Sequence, residues 1–71
     1  MEEFKVEILL RGPSVSELIN IRDLVGGKGI YFSREEAGED IKKAFKVVEN
    51  MSEFRIEETR VYRREVGEWK L

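Results

Sequence analysis

The sequence has no cysteine, no histidine and no glutamine, and it has a single proline, Pro13, a single tryptophan, Trp69, and a single threonine, Thr59. Without cysteine there is neither a disulfide framework nor a thiolate metal site, so packing and ion pairs must hold the fold, as suits a reducing cytoplasm. Without histidine or cysteine, metal and acid/base chemistry falls to Asp and Glu alone, and the expectation is a protein with no catalytic centre and no cofactor. No run approaches the roughly 18 apolar residues of a membrane helix. The start, Met1-Glu2-Glu3-Phe4, lacks the basic and apolar regions of a signal peptide. A soluble, unprocessed cytoplasmic chain without a membrane partner is expected.

What is present is charge. Charged residues make up 39% of the 71 residues, the usage expected where heat selects for ion pairs and against labile side chains, which points to a hyperthermophile and in particular an archaeal source. A chain this short makes one domain, spanning residues 1–71. Thirteen basic residues against fifteen acidic ones leave a net charge of −2, so no overall field draws the chain to nucleic acid. The distribution is uneven: residues 1–40 hold nine acids and five bases, residues 41–71 six acids and eight bases. The second half is the only basic part.

Gly12-Pro13-Ser14 and Gly26-Gly27-Lys28-Gly29 are the clusters of turn residues that divide the chain. Between Glu3 and Arg11, Phe4, Val6, Ile8 and Leu10 alternate as in a strand, while Val6, Leu9 and Leu10 also fit helical spacing. Glu2, Glu3, Lys5, Glu7 and Arg11 are good helix formers, and helix is the expectation here. Ser14-Val15-Ser16-Glu17 has the form of a capping box before Val15, Leu18, Ile19 and Val25, predicting a helix that stops at Gly26. Ser33-Arg34-Glu35-Glu36 predicts a second, longer helix with Ala37, Ile41, Ala44, Phe45, Val48 and Met51 on its inward stripe. From Phe54 onward the residues favour strand. Phe54 and Ile56 share one parity and Val61 the other, which implies a bulge or break between Glu57 and Arg60. A hairpin loop Glu65-Val66-Gly67 would pair Arg64 with Glu68, Arg63 with Trp69 and Val61 with Leu71, whereas a two-residue loop would oppose Glu65 and Glu68. The first register is expected.

Read in this order, helix, helix, helix and hairpin, the chain resembles winged helix-turn-helix proteins of bacteria and archaea. The resemblance rests on Leu9-Leu10-Arg11-Gly12-Pro13 followed by Ser14-Val15-Ser16-Glu17-Leu18, and on Phe32-Ser33-Arg34-Glu35-Glu36 with Ile41–Glu49 after it as the recognition helix. Residues 54–71 would be the wing. Between Leu18 and Ser33 the chain is longer than the family's tight turn. The resemblance implies an α+β fold of three helices and a C-terminal wing, and a nucleic-acid-binding protein, in the role of a transcription regulator on double-stranded DNA. By position it assigns DNA contacts to Arg34 and Lys42 on the helix and to Arg60, Arg63, Arg64 and Lys70 on the wing. Glu35, Glu39 and Asp40 near the helix start would meet phosphates with like charge. An acidic helix suits a protein partner or a homodimer better, so a non-catalytic protein-interaction module stands as the alternative. The alternative fold keeps residues 3–11 and Ile30-Tyr31-Phe32 as strands, in the order β-α-β-α-β-β of thioredoxin-like sandwiches, without the cysteine pair of thioredoxin chemistry.

Two further features have everyday readings. Glu35, Glu36, Glu39 and Asp40 have the spacing for a weak divalent cation, but such a run more often complements a helix start. Gly26-Gly27-Lys28-Gly29 resembles the Gly-x-x-Gly loop of KH domains, yet it lacks the Gly-Lys-Ser/Thr of a nucleotide phosphate loop, and helix termination is the expected role. Trp69, Tyr62 and Phe4 are large residues that could form a contact surface, but core packing is the expectation for Phe4, and the two readings are evenly matched for Tyr62, which falls on the strand parity opposite Val61.

Overall fold

A computed structural model of the chain describes residues 1–65 and 67–71. The element order is β1 (Glu3–Arg11), β2 (Ser16–Asn20), α1 (Arg22–Val25), α2 (Arg34–Glu49) and β3 (Arg55–Arg64). The strands form one antiparallel sheet in the order β2-β1-β3, so the first strand is the central one.

β1 owes its place to alternation. Phe4, Val6, Ile8 and Leu10 all turn to one side and are buried, with Val6 and Ile8 at 0% exposure. Burial of such side chains stabilises by about 1.5–3 kcal/mol each. Helix propensities differ by at most about 0.7 kcal/mol per ordinary residue, so alternation outweighs the helix-forming glutamates and lysine between them.

The expected winged-helix fold is therefore not the one observed: residues 3–11 are a strand paired on both sides, and the described residues form no three-helix core. The predicted helix from Ser14 is also replaced. Gly12 N–H donates to the carbonyl of Val15 at 2.8 Å, closing a turn with Pro13 and Ser14 at its centre. Proline is favoured at the second position of such a turn. The chain then runs back along β1 as β2, and Ser14 is a turn residue rather than a cap. Gly12 also gives room to Phe54, whose ring lies where a Cβ would stand 2.8 Å from it. Helical structure in this stretch is confined to the four residues of α1, which Gly26 ends in the left-handed conformation with φ 71°.

The alternative order β-α-β-α-β-β is not observed either. A strand does occupy residues 3–11, but a second strand follows directly, and around Tyr31 there is a single bridge to Phe4, made by Phe4 N–H to Tyr31 O and Tyr31 N–H to Phe4 O, each 2.8 Å.

α2 is the long helix that the sequence predicts after Ser33, whose hydroxyl accepts from the Glu36 N–H at 3.1 Å. It covers one face of the sheet through Ala37, Ala44 and Val48, with Ile41 half-buried. The inward stripe is narrower than expected, because Phe45 and Met51 are 50% and 39% exposed. Ile21, fully buried, and Tyr31 complete the core.

The expected change of parity in the last strand is met by a register shift: Leu9 faces Glu58 and Leu10 faces Ile56, leaving Glu57 as the extra residue. The hairpin register is not the expected one. Arg63 pairs with Lys70 rather than Trp69, through backbone bonds of 2.7 and 2.9 Å; the loop itself includes Val66, outside the described residues. This register puts Trp69 opposite Arg64, on the side of the sheet away from α2.

The hierarchy of burial gives a direct check. Ile8→Ala should lower the unfolding free energy in urea by about 2–5 kcal/mol and Ile8→Val by about 0.5–1.5 kcal/mol, whereas Phe45→Ala, at a half-exposed site, should cost well under the Ile8→Ala value. Equal losses at Phe45 and Ile8 would contradict this packing.

Candidate functional site

With α2 on one face, no helix among the described residues lies over the other face of the sheet. Pairing fixes its residues: Glu3 beside Arg64, Lys5 beside Tyr62, Glu7 beside Arg60 and Asn20, Leu9 beside Glu58 and Leu18, and Arg11 beside Ser16. Trp69 joins them from the return segment. Its ring lies 4.2 Å from the Arg64 guanidinium and 5.1 Å from the Lys5 ammonium, and Lys5 is also 5.3 Å from the Tyr62 ring. Cation–π contacts of this kind contribute about 0.5–1 kcal/mol at exposed sites. Here they fix two half-buried aromatic rings at one end of the open face.

Three arginines at this face are each paired with a carboxylate. Arg64 Nε donates to Glu3 at 2.9 Å, Arg60 Nε donates to Glu58, and Arg11 Nε donates to Glu57 at 3.0 Å. The hydrogen bond from Arg11 holds the Glu57 carboxyl below the usual carboxylate range. Exposure to solvent keeps each pair weak. Their effect is to cancel field rather than to hold the fold.

The six residues assigned to DNA contact do not converge. Arg60 and Arg64 lie on the open face. Arg63 and Arg34 both border Phe4 on the side of α2: Arg63 is its strand partner and salt-bridges Glu2 at 3.6 Å, and the Arg34 guanidinium lies 5.2 Å from its ring. Lys42 is exposed on α2 near Glu39, at 3.9 Å, and Lys70 is exposed on the return segment. Four of the six therefore sit in ion pairs, and the groove-entry geometry that linked them is lost with the winged-helix fold. Alternation in β3 marks Tyr62 as facing opposite to Val61. Among the positions that sequence reasoning did not bring to this surface are Lys5 and Leu18, because each was placed on a helix.

At the start of α2, Tyr31 O–H donates to Asp40 at 2.6 Å, and Lys43 salt-bridges the same carboxylate at 3.5 Å. Gly27 lies against this pair, where a Cβ would be 2.7 Å from the Asp40 carboxylate. The glycine loop thus ends α1 and packs on the Tyr31–Asp40 contact. Among the described residues, no three of the neighbouring carboxylates converge as metal ligands do, and no helix is long and apolar enough to cross a membrane.

Compared with known protein families, with curated proteins and with solved structures, the chain matches none.

Burial and the Asp40 contact raise the Tyr31 pKa well above its ordinary value near 10. The folded state therefore holds the phenol proton more tightly than the unfolded one. The resulting stability is present in full below about pH 10 and is lost as pH rises beyond it. Tyr31→Phe should lower stability near neutral pH by about 1–3 kcal/mol and flatten the alkaline decline. Urea midpoints measured between about pH 8 and 11 should converge for the two proteins as pH rises, and parallel curves would contradict the assignment.

Proposed function

We propose that the chain is a non-catalytic protein-interaction module that binds another protein through the open face of its sheet. The observation that carries this reading is the pair Trp69 and Tyr62, held by Lys5 and Arg64 on the face opposite α2. Aromatic residues and arginine are the side chains enriched where protein interfaces derive their energy. The face offers mixed charge: Glu3, Glu7 and Glu58 stand among Lys5, Arg11, Arg55, Arg60 and Arg64. Such a surface suits a partner of mixed charge with a recess for the two rings. Phosphate backbones need unpaired cations, and the guanidiniums of Arg11, Arg60 and Arg64 are each engaged by a carboxylate.

A nucleic-acid reading retains one favourable feature, since bases stack on aromatic rings flanked by cations. The two readings separate on salt. Titration of labelled single- and double-stranded nucleic acid at about 50 and 200 mM salt should show no steep, salt-sensitive binding. Immobilised protein should recover a partner from extract, and Tyr62→Ala combined with Trp69→Ala should abolish that recovery while the far-ultraviolet circular dichroism stays unchanged. Salt-steep nucleic-acid binding that the same double substitution removes would replace the protein reading with the nucleic-acid one.

A further inference from the structure

The two edges of the sheet are built differently. β3 is guarded by the devices that stop an edge from recruiting another strand. It carries Arg55, Arg60, Arg63 and Arg64, Glu57 bulges from its register, and the returning chain covers it where Lys70 pairs with Arg63. β2, at the other edge, has neither a bulge nor a covering bridge among the described residues, and its one charge is Glu17. Ser-Glu-Leu-Ile-Asn contains no lysine, arginine or proline, and its register with β1 is unbroken from Glu7↔Asn20 to Arg11↔Ser16.

The hairpin determines which backbone groups this edge presents. Gly12 N–H bonds Val15 O, and Ile21 N–H bonds Val6 O. Ladder bonds in an antiparallel pair fall on alternate residue pairs, so between these two the bonded pairs are Leu10 with Glu17 and Ile8 with Ile19. The N–H and C=O groups of Ser16, Leu18 and Asn20 consequently point away from β1. The Leu18 side chain, beside Leu9 on the open face, is 43% exposed.

We infer that β2 is a self-pairing edge, and that two copies of the chain join β2 to β2, antiparallel, about a two-fold axis at Leu18. In this register Leu18 meets Leu18 of the second copy and Ser16 meets Asn20, and all three outward-facing residues exchange both backbone hydrogen bonds. Glu17 lies opposite Ile19. Leu9 and Leu18 of each copy then form a continuous apolar stripe across the joined sheet. Centring the axis on Glu17 would oppose two like charges directly, which is unfavourable, and centring it on Ile19 would set Leu18 against Asn20. The contact is isologous and closes on itself, and the guarded β3 edges stop further growth.

This inference concerns the strand edge and is independent of the partner proposed for the aromatic end. Five residues a side make a small interface, which places the association among weak ones. Sedimentation velocity from about 10 µM to about 1 mM should show a monomer–dimer equilibrium of that weak class. In the dimer the amides of Ser16, Leu18 and Asn20 should exchange with deuterium more slowly as concentration rises. Leu18→Pro removes an N–H that β1 does not use, at an edge position where proline is tolerated. Leu18→Lys adds a charge at the axis. Each should weaken dimerisation at least tenfold with the circular dichroism of the monomer retained, and Tyr62→Ala with Trp69→Ala should leave dimerisation unchanged. A strict monomer throughout the range, or association undiminished in both Leu18 variants, would overturn the inference.

Discussion

Everything in this fold depends on the central strand having two different sides. β1 makes hydrogen-bonded neighbours to left and right, so its backbone is satisfied along most of its length, and the one remaining choice is which residues face α2. Alternation makes that choice: the four even-numbered residues from Phe4 to Leu10 go under the helix, and Glu3, Lys5, Glu7, Leu9 and Arg11 go to the open face. A slip of one residue would place three charged groups in the core, so the register of both neighbours is specified by this strand alone. The rest of the chain supplies its cover.

That cover is thin. A 71-residue chain buries a modest fraction of its surface, and here small residues, Ala37 and Ala44, let α2 approach the sheet closely while Ile21 and Tyr31 complete the core. The Tyr31–Asp40 hydrogen bond joins the segment after α1 to the first turns of α2, and Gly27 allows the loop to close over it. The long excursion from Ile21 to Tyr31 thereby returns to β1 beside Phe4, extending the pairing begun by β2. What the family resemblance leaves as an over-long connection is, in the structure, the passage from one position along β1 to another.

Much of the local structure was legible in the sequence, and the errors share one physical cause. Ser33 caps α2 as its spacing predicts, Gly26 terminates a helix, and the parity of Ile56 and Val61 reveals the bulge at Glu57. The misreadings lie where a local helix signal competed with a long-range pairing. Glutamates and lysines favour helix by tenths of a kcal/mol per residue, and Ser14-Val15-Ser16-Glu17 has the form of a cap, but neither signal records that Pro13 turns the chain so that residues 16–20 meet residues 7–11. Once β1 is extended, the burial of four side chains outweighs both. The candidate surface was obscured for the same reason: Lys5 joins Tyr62, and Leu18 joins Leu9, only through cross-strand pairing.

The hairpin register shows the same competition at smaller scale. Pairing Arg64 with Glu68 avoids setting Glu65 against Glu68, a like-charge contact of about 0.2–1 kcal/mol, and considered two residues at a time it is the better choice. The structure adopts the pairing of Arg63 with Lys70. Trp69 then falls on the open face, against Arg64 and within reach of Lys5. Two cation–π contacts, with the burial of part of an indole ring, exceed a repulsion between exposed carboxylates that solvent screens. One step of register thus decides whether Trp69 lies beside Phe4 or beside Tyr62. Because it lies beside Tyr62, the open face gains an anchored aromatic corner at one end, while β2 leaves an unguarded edge on the opposite side of the sheet.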